Sequence, residues 1–314
     1  MWFFPGQAPQ ISPDGTLTLE LKPAVYGTAT FNVTLADSGG TARGGVDVSG
    51  VQQLTIDILF VNHPPSFNAT PAVSVLQNSG GPHLLEEFVS EVNPGDGEEH
   101  WQEVTFVVTF SGGDPGLFES LPAISADGVL NFTAAKEKYG EANYSVVAVD
   151  DGGTARSGHN TSAPQHFSIA VLFVNQMPSF SLAFSNRSVL EDTGLSTLPN
   201  FALAILAGPS GVPREDNQTV SFVVEQTAGN SDLFKAPGPQ IDAGGALRFT
   251  PSDDAFGDAA FRVVLWDSGG TERGGVNRSG WGVFALHVQS VNDKPVFELD
   301  EELTVCEAGE EGKP

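Results

Sequence analysis

The sequence has 314 residues, and its 14 lysines and arginines against 39 aspartates and glutamates give a formal net charge of -25. This acidity excludes a nucleic-acid-binding role, because such a role needs a basic face. Hydrophobic residues make up 40% of the chain, and 36 glycines and 21 prolines interrupt it frequently. This length and composition predict two or three folded domains rather than a disordered polymer.

Signals for targeting and for redox compartment are weak. The first residues, MWFFPGQAPQ, lack the basic and apolar regions of a signal peptide, and the longest apolar run, 201–207, is too short to span a bilayer. The single cysteine, Cys306, excludes an intrachain disulfide and a thiolate metal cluster. We expect both ends of the sequence to be cuts in a longer repeat protein, so the missing signals do not indicate its location.

One segment occurs three times along the chain. It reads YGTATFNVTLADSGGTARGGVDVSG from Tyr26, YGEANYSVVAVDDGGTARSGHNTSA from Tyr139 and FGDAAFRVVLWDSGGTERGGVNRSG from Phe256. The shorter motifs PQISPDGTL, PAISADGVL and PQIDAGGAL precede it with the same spacings of 113 and 117 residues. A period of this size is the length of a domain. It predicts a truncated repeat at 1–63, complete repeats at 64–177 and 178–294, and the start of a further repeat at 295–314.

Within each repeat the apolar residues alternate with polar ones, as at 31–35, 144–149 and 284–288, which indicates β-strands. Asp14-Gly15 and Asp127-Gly128 predict hairpin turns. The double glycines at 39–40, 152–153 and 269–270 predict a tighter turn between the last two strands. The best helical alternative, 196–207, contains Pro199. The fold class is therefore predicted to be all-β, with tandem β-sandwiches.

The repeats close with FVNHPPSF from Phe60, FVNQMPSF from Phe173 and SVNDKPVF from Ser290. An aspartate, a glycine turn, a strand and this linker together resemble the C-terminal half of a cadherin repeat. The DSGGT-RGGV loop resembles the cadherin-like tandem repeats of large microbial and algal surface proteins. The resemblance covers essentially the whole chain. It implies Ig-like, cadherin-like Greek-key β-sandwiches with calcium at the joints, serving adhesion or surface architecture.

The resemblance also implies calcium ligands. For the joint after the third repeat it assigns Asn292, Asp293 and Glu307. For the joint between the second and third repeats it assigns Asn175, Glu191, Asp192, Asp253, Asp254 and Asp267. Asp37 and Asp150 match Asp267 in the other repeats, whereas Gln77 stands where a ligand glutamate is expected, and two of the three linkers lack the aspartate.

Two interpretations of these acidic residues stay open. Calcium takes about six to eight oxygen ligands, and this acidic chain is rich in them. Alternatively, the aspartates and asparagines make turns, with their side chains bonded to the backbone two residues further on.

Eight of the fifteen asparagines lie in Asn-x-Ser/Thr sequons, which favours a secreted or cell-surface glycoprotein. Two of them, at positions 160 and 277, align with Asp47, so an Asx turn explains their spacing equally well. The acceptor positions are Asn32, Asn68, Asn131, Asn143, Asn160, Asn186, Asn217 and Asn277.

No nucleophile with its base, metalloprotease helix, phosphate-binding loop or catalytic carboxylate pair is recognisable, so we do not expect an enzyme. The main hypothesis is an adhesive or structural spacer of an extracellular or cell-surface protein, with calcium as its cofactor. Its expected partners are other surface or matrix proteins or glycans. The alternative is a carbohydrate- or ligand-binding accessory module, in which exposed tryptophans line a sugar site instead of packing in the core.

Overall fold

The chain is described by a computed structural model, which covers residues 8–299 and Thr304. It divides into two compact units, Met1–Val174 and Asn175–Pro314. Within 8–299 the only α-helix has four residues, Pro213–Asp216, and the 3-10 helices have three residues each. These short 3-10 helices are Ala42–Gly44, Pro115–Leu117, Ala155–Ser157, Ser231–Leu233 and Glu272–Gly274. The prediction of an all-β chain of tandem sandwiches is confirmed.

The first unit begins with two antiparallel hairpins. Their strands are β1 (Gln10–Ile11), β2 (Leu17–Thr18), β3 (Gly27–Val33) and β4 (Gln52–Ile58). No residue of 8–61 is buried, although Ala29 and Phe31 correspond to the buried Ala142 and Tyr144 of the next repeat. The apolar alternation of β3 therefore has no second sheet to cover it within the described chain.

A complete β-sandwich follows in the first unit. Its strands are β5 (Ser66–Ala69), β6 (Ala72–Leu76), β7 (His83–Leu85), β8 (Val89–Asn93), β9 (Val104–Gly113), β10 (Phe118–Ile124), β11 (Leu130–Ala134), β12 (Gly140–Asp150) and β13 (Gln165–Leu172). A four-stranded sheet, β6-β13-β12-β9, faces the three-stranded β10-β11-β7 and the pair β5-β8 across one core. Strand β6 runs parallel to β13, whereas the other pairings are antiparallel.

The second unit repeats this topology. Its strands are β14 (Ser179–Leu182), β15 (Asn186–Leu190), β16 (Ser196–Leu198), β17 (Ala202–Leu206), β18 (Val220–Gly229), β19 (Gln240–Ile241), β20 (Leu247–Phe249), β21 (Gly257–Asp267) and β22 (Gly282–Gln289). The sheets are β15-β22-β21-β18, β16-β20-β19 and β14-β17, and β15 again runs parallel to β22. The helical alternative at 196–207 forms strands β16 and β17.

The period-two alternation places one face of each long strand in the core. In β21 every second side chain from Ala259 to Leu265 is buried, and the same positions of β12 are buried in the first unit. Aromatic rings stack across adjacent strands: Tyr144 with Phe167 at 5.4 Å, and Phe261 with Phe284 at 5.0 Å between ring centroids. The repeated sequence thus produces the same core twice.

The turns show where local sequence decides conformation. Gly15 (φ 88°) and Gly128 (φ 80°) adopt the left-handed backbone that their hairpins require, as predicted. The tight turn predicted at the double glycines is wrong. Residues 151–164 and 268–281 form long loops between the last two strands, because each loop closes around a buried asparagine described below. The predicted repeat boundaries remain a prediction; the division between the two units falls at 174/175.

Replacing Leu247 by alanine tests the core of the second unit. Leu247 is fully buried in β20, so Leu247→Ala should lower the free energy of unfolding by about 2–5 kcal/mol. Leu195 is 67% exposed in the same unit, and Leu195→Ala should change stability by less than about 0.5 kcal/mol. Urea titration followed by tryptophan fluorescence measures both. Equal effects of the two substitutions would contradict the assignment of the core.

Candidate metal centre

The three recurrent aspartates each precede a glycine turn; Asp150 and Asp267 are the last residues of β12 and β21, whereas Asp37 follows β3 by four residues. The Oδ1 atoms of Asp37, Asp150 and Asp267 accept a hydrogen bond from the backbone N–H two residues on, at 2.7, 2.9 and 2.8 Å. This is the geometry of an Asx turn. Asp37 is exposed, whereas Asp150 and Asp267 are buried, and these two take part in larger hydrogen-bond networks.

In the second unit, the network is centred on Asn175, which is 4% exposed. Its Nδ2 donates to Asp267 Oδ1 at 2.9 Å and to the carbonyl oxygens of Gly270 and Val276 at 3.1 and 3.0 Å. The N–H of Val276 in turn donates to the carbonyl of Asn175 at 3.0 Å. The loop between β21 and β22 therefore closes around the segment that leads into the sandwich.

A glutamine and a glutamate complete this network. Gln218 Nε2 donates to Asn175 Oδ1 at 2.7 Å and to Glu215 Oε2 at 2.6 Å, so one amide nitrogen bridges two oxygens. Glu215 Oε1 accepts the backbone N–H of Gln176 at 2.8 Å. Burial raises the pKa of Glu215 above its ordinary value of 4.5, and the nearby Asp267 carboxylate acts in the same direction. We call Asn175, Glu215, Gln218 and Asp267 the amide clamp of the second unit.

The first unit contains an equivalent amide clamp, made of Asn62, Glu99, Gln102 and Asp150. Asn62 Nδ2 donates to Asp150 Oδ1 at 2.8 Å, and Gln102 Nε2 donates to Asn62 Oδ1 at 2.7 Å and to Glu99 Oε2 at 3.2 Å. Glu99 also accepts the backbone N–H of His63 at 3.1 Å, and its Oε1 lies 2.5 Å from the His63 Nδ1. All four clamp residues are buried.

The motifs read from the sequence include the asparagines and aspartates of the clamps but not their glutamates and glutamines. The signal was present as a second repeated segment, EHWQEVTFVV from Glu99 and EDNQTVSFVV from Glu215, with the pattern E-x-x-Q-x-V-x-F-V-V. The glutamate and the glutamine of the pattern lie outside the strands, before β9 and β18. Because no strand periodicity marks them, they are recognisable only by aligning the repeats.

A glycine in each loop allows the clamp to close. A Cβ on Gly269 would lie 1.9 Å from Asn175 Oδ1 and 2.6 Å from Gln218 Nε2. A Cβ on Gly152 would lie 1.9 Å from the Asn62 Oδ1. The first glycine of each double glycine is therefore required for close approach of the clamp amides, in addition to any turn that it makes.

A cluster of carboxylates lies at the other end of the second sandwich. One oxygen or more from each of Glu191, Asp192 and Asp293 lies within 4.8 Å of the others. Glu191 is only 3% exposed; its Oε1 accepts the backbone N–H of Val291 at 2.8 Å, and its Oε2 is buried without a hydrogen-bond partner. We call these three residues together with Asp254 the acidic cluster.

Asp254 contacts the cluster through its backbone N–H and adds its negative charge to it. Its N–H donates to Asp192 Oδ1 at 3.3 Å, and both residues adopt left-handed backbone conformations, with φ of 55° and 58°. Loss of hydration and the neighbouring carboxylates of Asp254 and Asp192 raise the pKa of Asp293. The acidic cluster thus concentrates negative charge that nothing in the described chain neutralises by an ion pair.

The structure separates ligands that the sequence assigned to one joint. Asp267 is the last residue of β21. The first residue of β21, Gly257, pairs with Val288, so this opposite end of the strand lies on the side of the acidic cluster residue Asp293. At about 3.3 Å per residue, the two ends of β21 are about 30 Å apart. Asn175 and Asp267 therefore belong to the amide clamp, while the glutamate and aspartate at 191 and 192 belong to the acidic cluster.

The remaining predicted ligands have other surroundings. Asp253 is exposed and pairs with Lys235 Nζ at 2.8 and 3.0 Å. Asn292 is exposed and its Nδ2 donates to the carbonyl of Asp293 at 3.2 Å. Glu307 and Cys306 lie outside the described residues.

None of the eight sequon asparagines is buried. The acceptors at 160 and 277 are half-buried, and the other six are exposed. The Asn68 side chain donates to Glu91 Oε2 at 2.6 Å, whereas Asn143 and Asn186 lie on strands with exposed side chains. All eight positions stay predictions of glycosylation.

The tryptophans differ in their surroundings. Trp101 is 54% exposed, and Trp281 is 43% exposed with the guanidinium of Arg262 4.3 Å from its ring centroid. Trp266 is half-buried, and Trp2 lies outside the described residues. Because a guanidinium already covers one face of Trp281, that face cannot stack on a sugar without displacing it. A carbohydrate-binding role stays a prediction.

Comparison with known proteins gives similarity of fold. The sequence matches no protein-family model, and no curated protein matches it. Similar solved structures include human CDH23 EC21-23, with 16% identity, a TM-score of 0.45 and coverage of 89% of this chain and 81% of that one. Mouse protocadherin-24 EC1-3 has 15% identity, a TM-score of 0.43 and coverage of 90% and 86%. The human desmocollin-1 ectodomain has 17% identity, a TM-score of 0.37 and coverage of 95% and 54%. The chain is similar in fold to tandem cadherin repeats.

Among its described helices, none has the length and apolar character needed to cross a membrane.

Substitution of Gly269 tests the clamp of the second unit. Gly269→Ala should force apart the Asn175 and Gln218 amides and lower the stability of this unit by about 2–3 kcal/mol, because buried polar groups lose their partners. Gly280 serves as the control, because a methyl group added there would have no atom within 4 Å. Calorimetric melting measures both variants. An equally small effect of Gly269→Ala and Gly280→Ala would contradict the close approach.

Proposed function

We propose that this chain is part of an extracellular or cell-surface repeat protein that acts as an adhesive or structural spacer, and that the second sandwich binds calcium at its acidic cluster. The observation that carries the calcium proposal is Glu191, a carboxylate with one oxygen buried and unpaired beside two further carboxylates. The spacer role is supported by two sandwiches that repeat one topology, each with its own core.

Calcium suits this group of ligands better than other common metals. The cluster offers carboxylate oxygens only, without histidine or thiolate, and hard divalent cations prefer such oxygens. Calcium also accepts irregular geometry and accessible water ligands, which fits a site with one buried and several exposed carboxylates. Loss of hydration and then repulsion from Asp254 and Asp192 raise the pKa of Asp293, and a cation here would offset that repulsion.

The site would link calcium to the order of the chain that leaves the sandwich. Glu191 follows β15 and holds the backbone N–H of Val291, two residues before Asp293. A cation bound to the carboxylates of Glu191 and Asp293 would cross-link the end of β15 to the segment that follows β22. Removal of calcium would then loosen the segment before it unfolded the sandwich, because the hydrophobic core does not include the cluster.

An extracellular location is supported by the sequons as well. Six of the eight acceptor asparagines are exposed, so their side chains are open to glycan transfer. Surface glycans and the net charge of -25 would both keep such a spacer soluble. Its partners would be other surface or matrix proteins or glycans, and a catalytic role is not part of the proposal.

The neighbouring residues Asp253 and Asp254 provide a matched test of the calcium site. Asp254→Asn should weaken calcium binding by at least about tenfold, because it removes one carboxylate from the cluster. Asp253→Asn removes the same charge one residue away, from a side chain paired with Lys235, and should leave the affinity within about twofold. Isothermal titration of calcium into the chelator-stripped chain measures both. Similar losses in the two variants would indicate diffuse electrostatic attraction and contradict the site.

Secretion from a eukaryotic cell tests the location. The secreted chain should lose mass on treatment with an amidase that removes N-linked glycans. Asn143→Gln and Asn186→Gln should each remove one glycan, because both side chains are exposed. Ser145→Ala, which destroys the same sequon and keeps Asn143, is the control for Asn143→Gln. A secreted, folded chain without any N-linked glycan would contradict this part of the proposal.

A further inference from the structure

We infer that calcium binding is confined to the acidic cluster of the second unit, and that the corresponding position of the first unit and both amide clamps are held by amide hydrogen bonds without calcium. The inference rests on the proposed calcium site. It departs from what the cadherin-like fold implies, namely a calcium ion at every joint. The departure follows from comparing equivalent residues in the two units.

The first unit has the same backbone as the acidic cluster but different side chains. Gln77 corresponds to Glu191, and its Oε1 accepts the backbone N–H of Val174 at 3.1 Å, just as Glu191 Oε1 accepts that of Val291. Asn78 corresponds to Asp192, and its Oδ1 accepts the N–H of Glu137 at 2.8 Å.

The backbone angles confirm this correspondence. Asn78 has φ of 57° and Glu137 has φ of 60°, against 58° and 55° for Asp192 and Asp254. The two turns therefore have the same conformation in both units. The side chains differ, because three of the four carboxylates of the acidic cluster have amides at the equivalent positions.

This replacement reverses the preference for a cation. In Glu191 the unpaired buried atom is the oxygen Oε2, whereas in Gln77 it is the nitrogen Nε2. A carboxylate oxygen attracts a cation, but an amide N–H presents positive partial charge and repels it. Glu137 is the only carboxylate among the four equivalent positions, since Gln77, Asn78 and Gln176 align with Glu191, Asp192 and Asp293. The first unit therefore lacks the ligands that calcium needs.

The amide clamps also fit calcium poorly. In the second unit both oxygens of Glu215 and the Oδ1 atoms of Asn175 and Asp267 already accept N–H groups. Only Asp267 Oδ2 and Gln218 Oε1 lack a partner, and the same two atom types are unpaired in the first unit. Two side-chain oxygens fall far short of the about six to eight ligands of calcium.

The bridging amide takes the role that a cation would otherwise play. Gln218 Nε2 lies between Asn175 Oδ1 and Glu215 Oε2, at 2.7 and 2.6 Å, and its two hydrogens satisfy both oxygens. The clamp therefore joins the segment entering the sandwich to the β21–β22 loop by hydrogen bonds that need no metal. This part of each unit should keep its structure in calcium-poor surroundings.

A gain of binding tests the inference at the first unit. The triple variant Gln77→Glu, Asn78→Asp, Gln176→Asp supplies, together with Glu137, the same four carboxylates as positions 191, 192, 293 and 254, because Gln176 aligns with Asp293 in the repeated linker. Calcium titration of the full chain should then show a second binding event that the wild type lacks. The control Gln10→Glu, Gln52→Glu, Gln53→Glu adds the same charge at exposed positions of β1 and β4 and should add no binding event. Absence of a gain in a variant that melts like the wild type would overturn the inference at this position.

A loss of binding tests the clamps. Glu191→Gln, Asp192→Asn should abolish calcium binding, and the melting temperature of this variant should be the same in chelator and in excess calcium. Residual binding that Asp150→Asn or Asp267→Asn then removes would overturn the inference, while leaving the proposed site at Glu191 intact. A wild type that binds no calcium would instead contradict the proposed function. In that case the clamps would bind no calcium either, so only the assignment of calcium to the acidic cluster would fall, and the part of the inference that concerns the clamps and the first unit would stand.

Discussion

The burial of one asparagine side chain constrains the rest of each sandwich. Asn62 and Asn175 carry their amides into the interior just before the first strand of each sandwich, and a buried amide must find partners for its two hydrogens and its oxygen. The aspartate that ends β12 or β21 and the glutamine that precedes β9 or β18 supply those partners. The long loop contributes carbonyl groups, and the first of its two glycines permits the close approach. The network therefore joins segments that lie far apart in the sequence of each unit.

The fold was predictable because the sequence patterns that specify it are periodic. Alternating apolar residues around 144–149 and 284–288 indicate strands locally, and the repeated blocks show that the same domain recurs. The clamp was only half predictable, since Glu99 and Gln102 lie outside the strands, where no periodicity indicates burial and only an alignment of the repeats marks them. The grouping of ligands was not predictable from order along the chain, because β21 carries Asp267 about 30 Å away from the cluster that contains its apparent neighbours.

The two units show how chemistry changes while the backbone does not. The left-handed turns at 78 and 137 and at 192 and 254 have nearly the same φ angles, yet Asn78 and Glu137 offer one carboxylate where Asp192 and Asp254 offer two. The hydrogen bonds made by Gln77 Oε1 and Glu191 Oε1 to the outgoing backbone are likewise shared. Exchange of a single atom type, nitrogen for oxygen, therefore alters the electrostatics of a position without altering its geometry. Repeats built on one scaffold can differ in ion dependence for this reason.

The parallel pairing of the early strand with the last strand determines how each sandwich resists mechanical force. Five residue pairs join β6 to β13, and five join β15 to β22. When tension is applied at the two ends of such a repeat, the paired strands are pulled in opposite directions along their length. The interstrand hydrogen bonds are then sheared together instead of being opened one after another, so rupture requires the simultaneous loss of several bonds. A surface spacer exposed to traction would resist extension at these strand pairs, while its loops and linkers would yield first.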